Sequence, residues 1–185
     1  QAKIRGTILK KDLSFIKDKE GKEGLKKLEK EMKNQGFSDF SFEKISNMQW
    51  YPVKWQVDLI KNAKEIFNWK DYDIFQMGYS IGKYSIFFRI FLKYFANPGK
   101  ALSLSNKYWQ KHYSVGKISS YNLDQKNKNG YLVISDFNIH PDLCLVIKGY
   151  LKFLVELLIN KDVEIKETRC SFQGDPHHKY VISWQ

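Results

Sequence analysis

The chain has 185 residues, of which 43% are hydrophobic and 16% aromatic, so a disordered polymer is excluded and one sizeable core can be buried. A formal charge of +11 leaves room for anionic partners, and two cysteines are too few for a disulfide scaffold, so a reducing, cytoplasmic setting is expected. Residues 1–11 lack the apolar segment of a signal peptide. The longest apolar run, residues 143–159, is broken by Lys148, Lys152 and Glu156, so no membrane span is expected.

Along the chain, residues 3–9 fit a short strand and residues 12–16 a helix, which Gly21 interrupts. Residues 23–32 then carry Leu25, Leu28 and Met32 at helical spacing. Phe37, Phe40 and Phe42 lie among polar residues in an ordered connector. Trp50-Tyr51-Pro52 signals a helix start, because proline is tolerated in a first turn and pushes its predecessor towards extended geometry. The helix beyond it places Val53, Val57, Ile60, Ala63 and Phe67 on one face. A third helix is expected over residues 74–95, stopped by Asn97-Pro98-Gly99, and a fourth over residues 102–113.

The periodicity then changes. Residues 115–123 and 131–137 flank Asn129-Gly130, a hairpin signal; residues 142–159 return to helix after Pro141. Residues 163–172 and 179–184 enclose Gly174-Asp175-Pro176, a second hairpin. The expected fold is α+β: N-terminal helices packed on a four-stranded antiparallel sheet, its two hairpins separated by a long helix. One domain is expected over residues 1–185, with a mainly helical half to residue 113 and a hairpin–helix–hairpin half from residue 114.

Both cysteines fall in one array, Cys144-x22-Glu167-x2-Cys170-x7-His178. Thiolate, carboxylate and imidazole are the side chains that bind zinc, and four of them close a tetrahedral, structural shell. Glu167 and Cys170 sit three apart on an expected strand, where ideal pleating sends them to opposite faces. A bulge or the strand end has to bring them together, or Glu167 is not a ligand. His177 competes with His178, and the plainer alternative is two buried thiols packed as small hydrophobes.

The segment from Glu167 to Tyr180 resembles the C-terminal signature of the vinyl-4-reductase domain, with its Glu-x2-Cys, its Gly-Asp-Pro-like turn and a final ligand followed by an aromatic residue. His178 stands where that signature has a cysteine. Trp50-Tyr51-Pro52, the stretch from Tyr108 to Lys117 and Val181-Ile182-Ser183-Trp184 resemble an uncharacterised myxobacterial-type family of the same superfamily. That superfamily also includes haem–NO-binding domains and TRAPP vesicle-tethering subunits. The resemblance implies helices on a four-stranded antiparallel sheet, a hydrophobic ligand cavity, and a structural zinc at Cys144, Glu167, Cys170 and His178. Haem is disfavoured, because Tyr84-Ser85-Ile86-Phe87-Phe88-Arg89 does not reproduce the Tyr-x-Ser-x-Arg spacing that grips haem propionates in haem–NO-binding domains, and His112 and His140 lie on no evident haem-facing helix.

The leading expectation is a non-enzymatic sensor domain that encloses a small hydrophobic or aromatic molecule and reports its occupancy through a homodimer or a separate effector protein. Candidate cavity walls are Trp55, Tyr84, Phe88, Phe91, Trp109 and Tyr113. An aromatic stripe at helical spacing is also what an ordinary core looks like. No dinucleotide glycine fingerprint and no nucleophile beside Asp175 and His178 point to an enzyme. The alternative is a TRAPP-like scaffold. There the patch of Lys83, Arg89, Lys93, Lys100, Lys107, Lys111 and Lys117 would meet an anionic membrane surface or an acidic partner. Nucleic acid is not expected, since no groove-reading motif accompanies the charge.

Overall fold

A computed structural model describes residues 1–83 and 98–185. Its elements begin with a short strand, β1 (Lys3–Arg5), which passes directly into α1 (Gly6–Asn34). α1 buries Ile8, Leu9, Leu13 and Ile16 before Gly21 and Leu25, Leu28 and Met32 after it. Gly21 has φ 74° and ψ 179°, a conformation open to glycine, so one element is two helices joined at a kink. β2 (Trp50–Pro52) pairs antiparallel with β1. The expected helix start at Pro52 is thus displaced by a strand: the helix, α2 (Lys54–Phe67), begins two residues later. The helices α3 (Asp71–Lys83) and α4 (Pro98–His112) follow.

The second half matches its expected order. β3 (Lys117–Asp124) and β4 (Asn129–Ser135) form the first hairpin, α5 (Asp142–Ile159) the long helix, and β5 (Val163–Arg169) and β6 (His178–Trp184) the second hairpin. The four strands make one antiparallel sheet in the order β3-β4-β6-β5. The expected α+β architecture is therefore the observed one. α5 starts with an acid, Asp142, in its first turn, where a negative charge meets the positive helix end. Lys64 of α2 ion-pairs with Asp142 at 2.5 Å. Asn160, in the left-handed region at φ 54°, ends the helix.

The core is continuous from the helices to the sheet, with Leu9, Leu28, Ile60 and Ile74 on one side and Ile134, Ile165, Tyr180 and Ile182 on the other. The closest packing is between α3 and α5. A methyl group built on Gly78 would stand 2.0 Å from the Val146 carbonyl oxygen, and one on Gly149 would stand 2.0 Å from that of Phe75. Two glycines facing opposite backbones let these helices approach nearly backbone to backbone. No helix among the described residues is long and apolar enough to cross a membrane.

Candidate metal centre and ligand cavity

Cys144, Glu167, Cys170 and His178 converge. One ligand atom from each lies within 4.8 Å of all the others. Cys144 Sγ is 4.0 Å from Cys170 Sγ and 3.6 Å from His178 Nδ1, and Glu167 Oε1 is 2.9 Å from the same nitrogen. Both thiols and the imidazole are buried, and both cysteines are free.

Local structure explains the convergence. The β5–β6 register shifts between Glu167 and Arg169, a bulge of the kind the pleating argument requires. Cys170 then leaves the strand into a short 3-10 turn, Ser171–Gln173. Its N–H donates to Asp175 Oδ2 at 2.8 Å, and its carbonyl accepts the Gln173 and Asp175 N–H groups at 2.8 and 3.3 Å. Asp175 thus fixes the turn that presents the thiol. Cys144 comes from the first turn of α5, so the array ties that helix to the second hairpin. His177 is outside the group.

His178 Nε2 lies 2.8 Å from the Phe137 carbonyl oxygen, which can only accept, so Nε2 carries a proton and Nδ1 faces the cluster. Burial opposes protonation of this ring, but the Glu167 carboxylate and the Phe137 carbonyl outweigh it and hold its pKa above the ordinary value. Burial, followed by Glu167 and Cys170, pushes the Cys144 thiol well up. A metal ion would bind these ligands deprotonated, so its binding would displace the Cys144 thiol proton and compete with a proton for His178 Nδ1.

A second feature lies between α4, α5 and the sheet: a cavity of about 590 Å³. Its walls are mainly apolar, including Val146, Ile147 and Leu151 of α5 and Ile118, Leu132 and Ile134 of the sheet. Trp109 and Tyr113 line it, stacked with ring centroids 5.1 Å apart. Trp55 does not reach it; that ring packs against Phe37, Phe40 and Tyr51. Tyr84, Phe88 and Phe91 lie outside the described residues, as do Arg89 and Lys93 of the basic patch. The other patch positions diverge in role. Lys83 ends α3 and Lys100 is in the first turn of α4, Lys107 and Lys111 border the cavity, and Lys117 pairs with Asp136 at 2.9 Å.

One polar group on the cavity wall, His112, and one buried behind it, Asp12, carry no obvious signal in the sequence. His112 lines the cavity with both ring nitrogens buried and, among the described residues, without a hydrogen-bond partner. Burial, then Lys11, Arg5 and Lys111, push its pKa down to about 4, so the imidazole is neutral. The Tyr113 hydroxyl donates to Gln56 Oε1 at 3.1 Å, and Gln56 Nε2 donates to Asp12 Oδ2 at 2.9 Å. Asp12 is fully buried, its other oxygen has no partner, and burial raises its pKa to about 8. His112 enters the sequence reading only as a histidine on no evident haem-facing helix, and Asp12 is one acid in a lysine-rich helix. A charged residue on the apolar face of Ile8, Leu9 and Leu13 was the one available clue.

No family model matches the chain, and no curated protein matches it. Solved structures do. The chain is similar to an H-NOX protein from S. oneidensis in the Fe(II)NO ligation state, at 14% identity and TM-score 0.69, over 98% of this chain and 99% of that one. An unliganded Fe(II) H-NOX protein from K. algicida matches at 12% identity and TM-score 0.69, over 98% and 97%. The H-NOX domain of Shewanella oneidensis in the Fe(II)CO state matches at 14% and 0.65, over 98% and 99%. These likenesses bear out the relation to haem–NO-binding domains at the level of fold. They also overturn the expectation that haem is disfavoured, since the fold is shared with proteins solved in Fe(II) states. That expectation rested on one propionate-gripping motif and set aside His112, which the fold brings to the cavity wall.

Proposed function

We propose that this chain is a non-enzymatic sensor domain in which the cavity between α4, α5 and the sheet binds a small hydrophobic molecule. The observation that carries this reading is the cavity itself. About 590 Å³ of mainly apolar space is within the range of small-molecule sites, and few polar groups face it. The H-NOX likenesses support the reading, since two of those proteins were solved in the Fe(II)NO and Fe(II)CO ligation states.

Haem passes a test on this chain's own residues. A neutral imidazole with no hydrogen bond, on the wall of an apolar chamber, is an available iron ligand, so His112 would hold the iron. Bound haem would supply the affinity for a diatomic gas. What the chain supplies is the dry chamber, the aromatic wall of Trp109 and Tyr113, and the orientation of His112 on α4.

The Cys144, Glu167, Cys170 and His178 array is read as a structural zinc site. Two sulfurs, one nitrogen and one oxygen suit zinc, and a shell filled by four protein ligands leaves no position for a substrate. This array is also what supports the vinyl-4-reductase resemblance. Zinc would fix the first turn of α5, the same helix that presents Val146 and Ile147 to the cavity.

Thermal unfolding of the zinc-loaded protein with increasing haemin or decanol tests the sensor reading. At least one of them is expected to raise Tm in a saturable way, because a ligand bound only to the fold stabilises it by mass action. No shift with either ligand contradicts it.

A further inference from the structure

Resting on the sensor reading, a second property of the cavity defines its ligand more closely. Most of the chamber is apolar, but one wall is not. Lys107 and Lys111, one helical turn apart on α4, border the cavity, and His112 follows Lys111 in the chain. Both ring nitrogens of His112 are buried without a partner, an expense the fold leaves uncompensated. Lys11, Arg5 and Lys111 each add to the positive potential at the ring. The nearest acid in the chain to Lys11, Asp12, is held neutral by burial and so does not balance them below about pH 8.

We infer that the cavity takes a hydrophobic carboxylate, with its apolar body among α5 and the sheet and its anionic group at the Lys107, Lys111 and His112 wall of α4. A neutral hydrocarbon would fill the chamber but leave the imidazole N–H without an acceptor. A carboxylate answers the ring N–H directly and can reach the exposed Lys107 and Lys111 ammonium groups at the rim, making charge-assisted hydrogen bonds.

Paired ligands that differ only in the charged group test this. Isothermal titration of the zinc-loaded protein with decanoate and with decanol is expected to show decanoate binding at least about tenfold tighter. Haemin and its dimethyl ester form a second pair, in which His112 would hold the iron and only Lys107 and Lys111 would face a carboxylate; it asks whether the carboxylate arrives on a porphyrin instead of a fatty chain. Preference for the acid in either pair supports the inference. In a folded Lys107→Ala/Lys111→Ala variant, and in His112→Gln, that preference is expected to shrink towards unity. Equal affinities within both pairs overturn the inference and leave the sensor reading intact. Absence of binding by all four compounds overturns both. A preference that survives all these substitutions also overturns the assignment to this wall.

Discussion

Asp12 shows how much one residue can weigh. Its carboxyl is fully buried, shares one oxygen with Gln56, and titrates at about 8 against 3.8 when free. Between those values the folded chain holds a proton that the unfolded chain has lost. The contribution of Asp12 to stability is therefore greatest in acid and falls as pH rises from about 4 to about 8, by an amount of the order of a few kcal/mol. Asp12→Asn keeps the acceptor for Gln56 and removes the charge. Urea titrations at pH 5 and pH 8.5 should show a stability difference between variant and wild type that moves in the variant's favour at the higher pH. A pH-independent difference would mean that Asp12 does not titrate in this window. The proposed zinc ligands make a separate prediction. Elemental analysis should find about one zinc per chain, and Cys170→Ala should lose metal and melting temperature together, because site formation is coupled to folding. His178→Cys should retain zinc, since a thiolate is an equivalent ligand. Loss of Cys170 with no change in Tm would remove the structural role.

At the scale of elements, the sequence was clearest where periodicity and punctuation agreed. The span of α5 follows from Pro141 before it and the apolar run through it, and both hairpins follow from Asn129-Gly130 and Gly174-Asp175-Pro176. The β1–β2 pair was not readable, because three-residue strands have no period, and Trp50-Tyr51-Pro52 equally suits a helix entry. The four ligand-type side chains could be picked out by type and spacing. Their convergence depends on a bulge at Thr168 and a turn pinned by Asp175, and neither leaves a pattern in a single sequence. The contact of α3 with α5 was also hidden, since Gly78 and Gly149 lie far apart in the chain. Gly149→Ala places a methyl against the Phe75 carbonyl, and should cost about 1–3 kcal/mol or more in a denaturant titration. An unchanged midpoint would show that the two helices can separate freely.

Across the whole molecule, the candidate metal centre and the cavity share a boundary. Trp109 meets Phe137 edge to face with centroids 5.1 Å apart, and the Phe137 carbonyl accepts from His178 Nε2. Cys144 and the cavity-lining Val146 lie within one turn of α5. Packed groups thus run from the cavity wall to the Cys144–Glu167–Cys170–His178 array, and coupling between the two is an expectation. Chelation of zinc should weaken ligand binding several-fold, measured by titration before and after metal removal in protein that remains folded. Equal affinities would uncouple the two sites. The central claim is that this fold encloses a hydrophobic ligand, and native mass spectrometry of the zinc-loaded protein tests it most directly. The account predicts one additional organic occupant per chain, either retained through purification or acquired on incubation with decanoate, decanol or haemin. A mass equal to chain plus zinc that none of these compounds changes would contradict it.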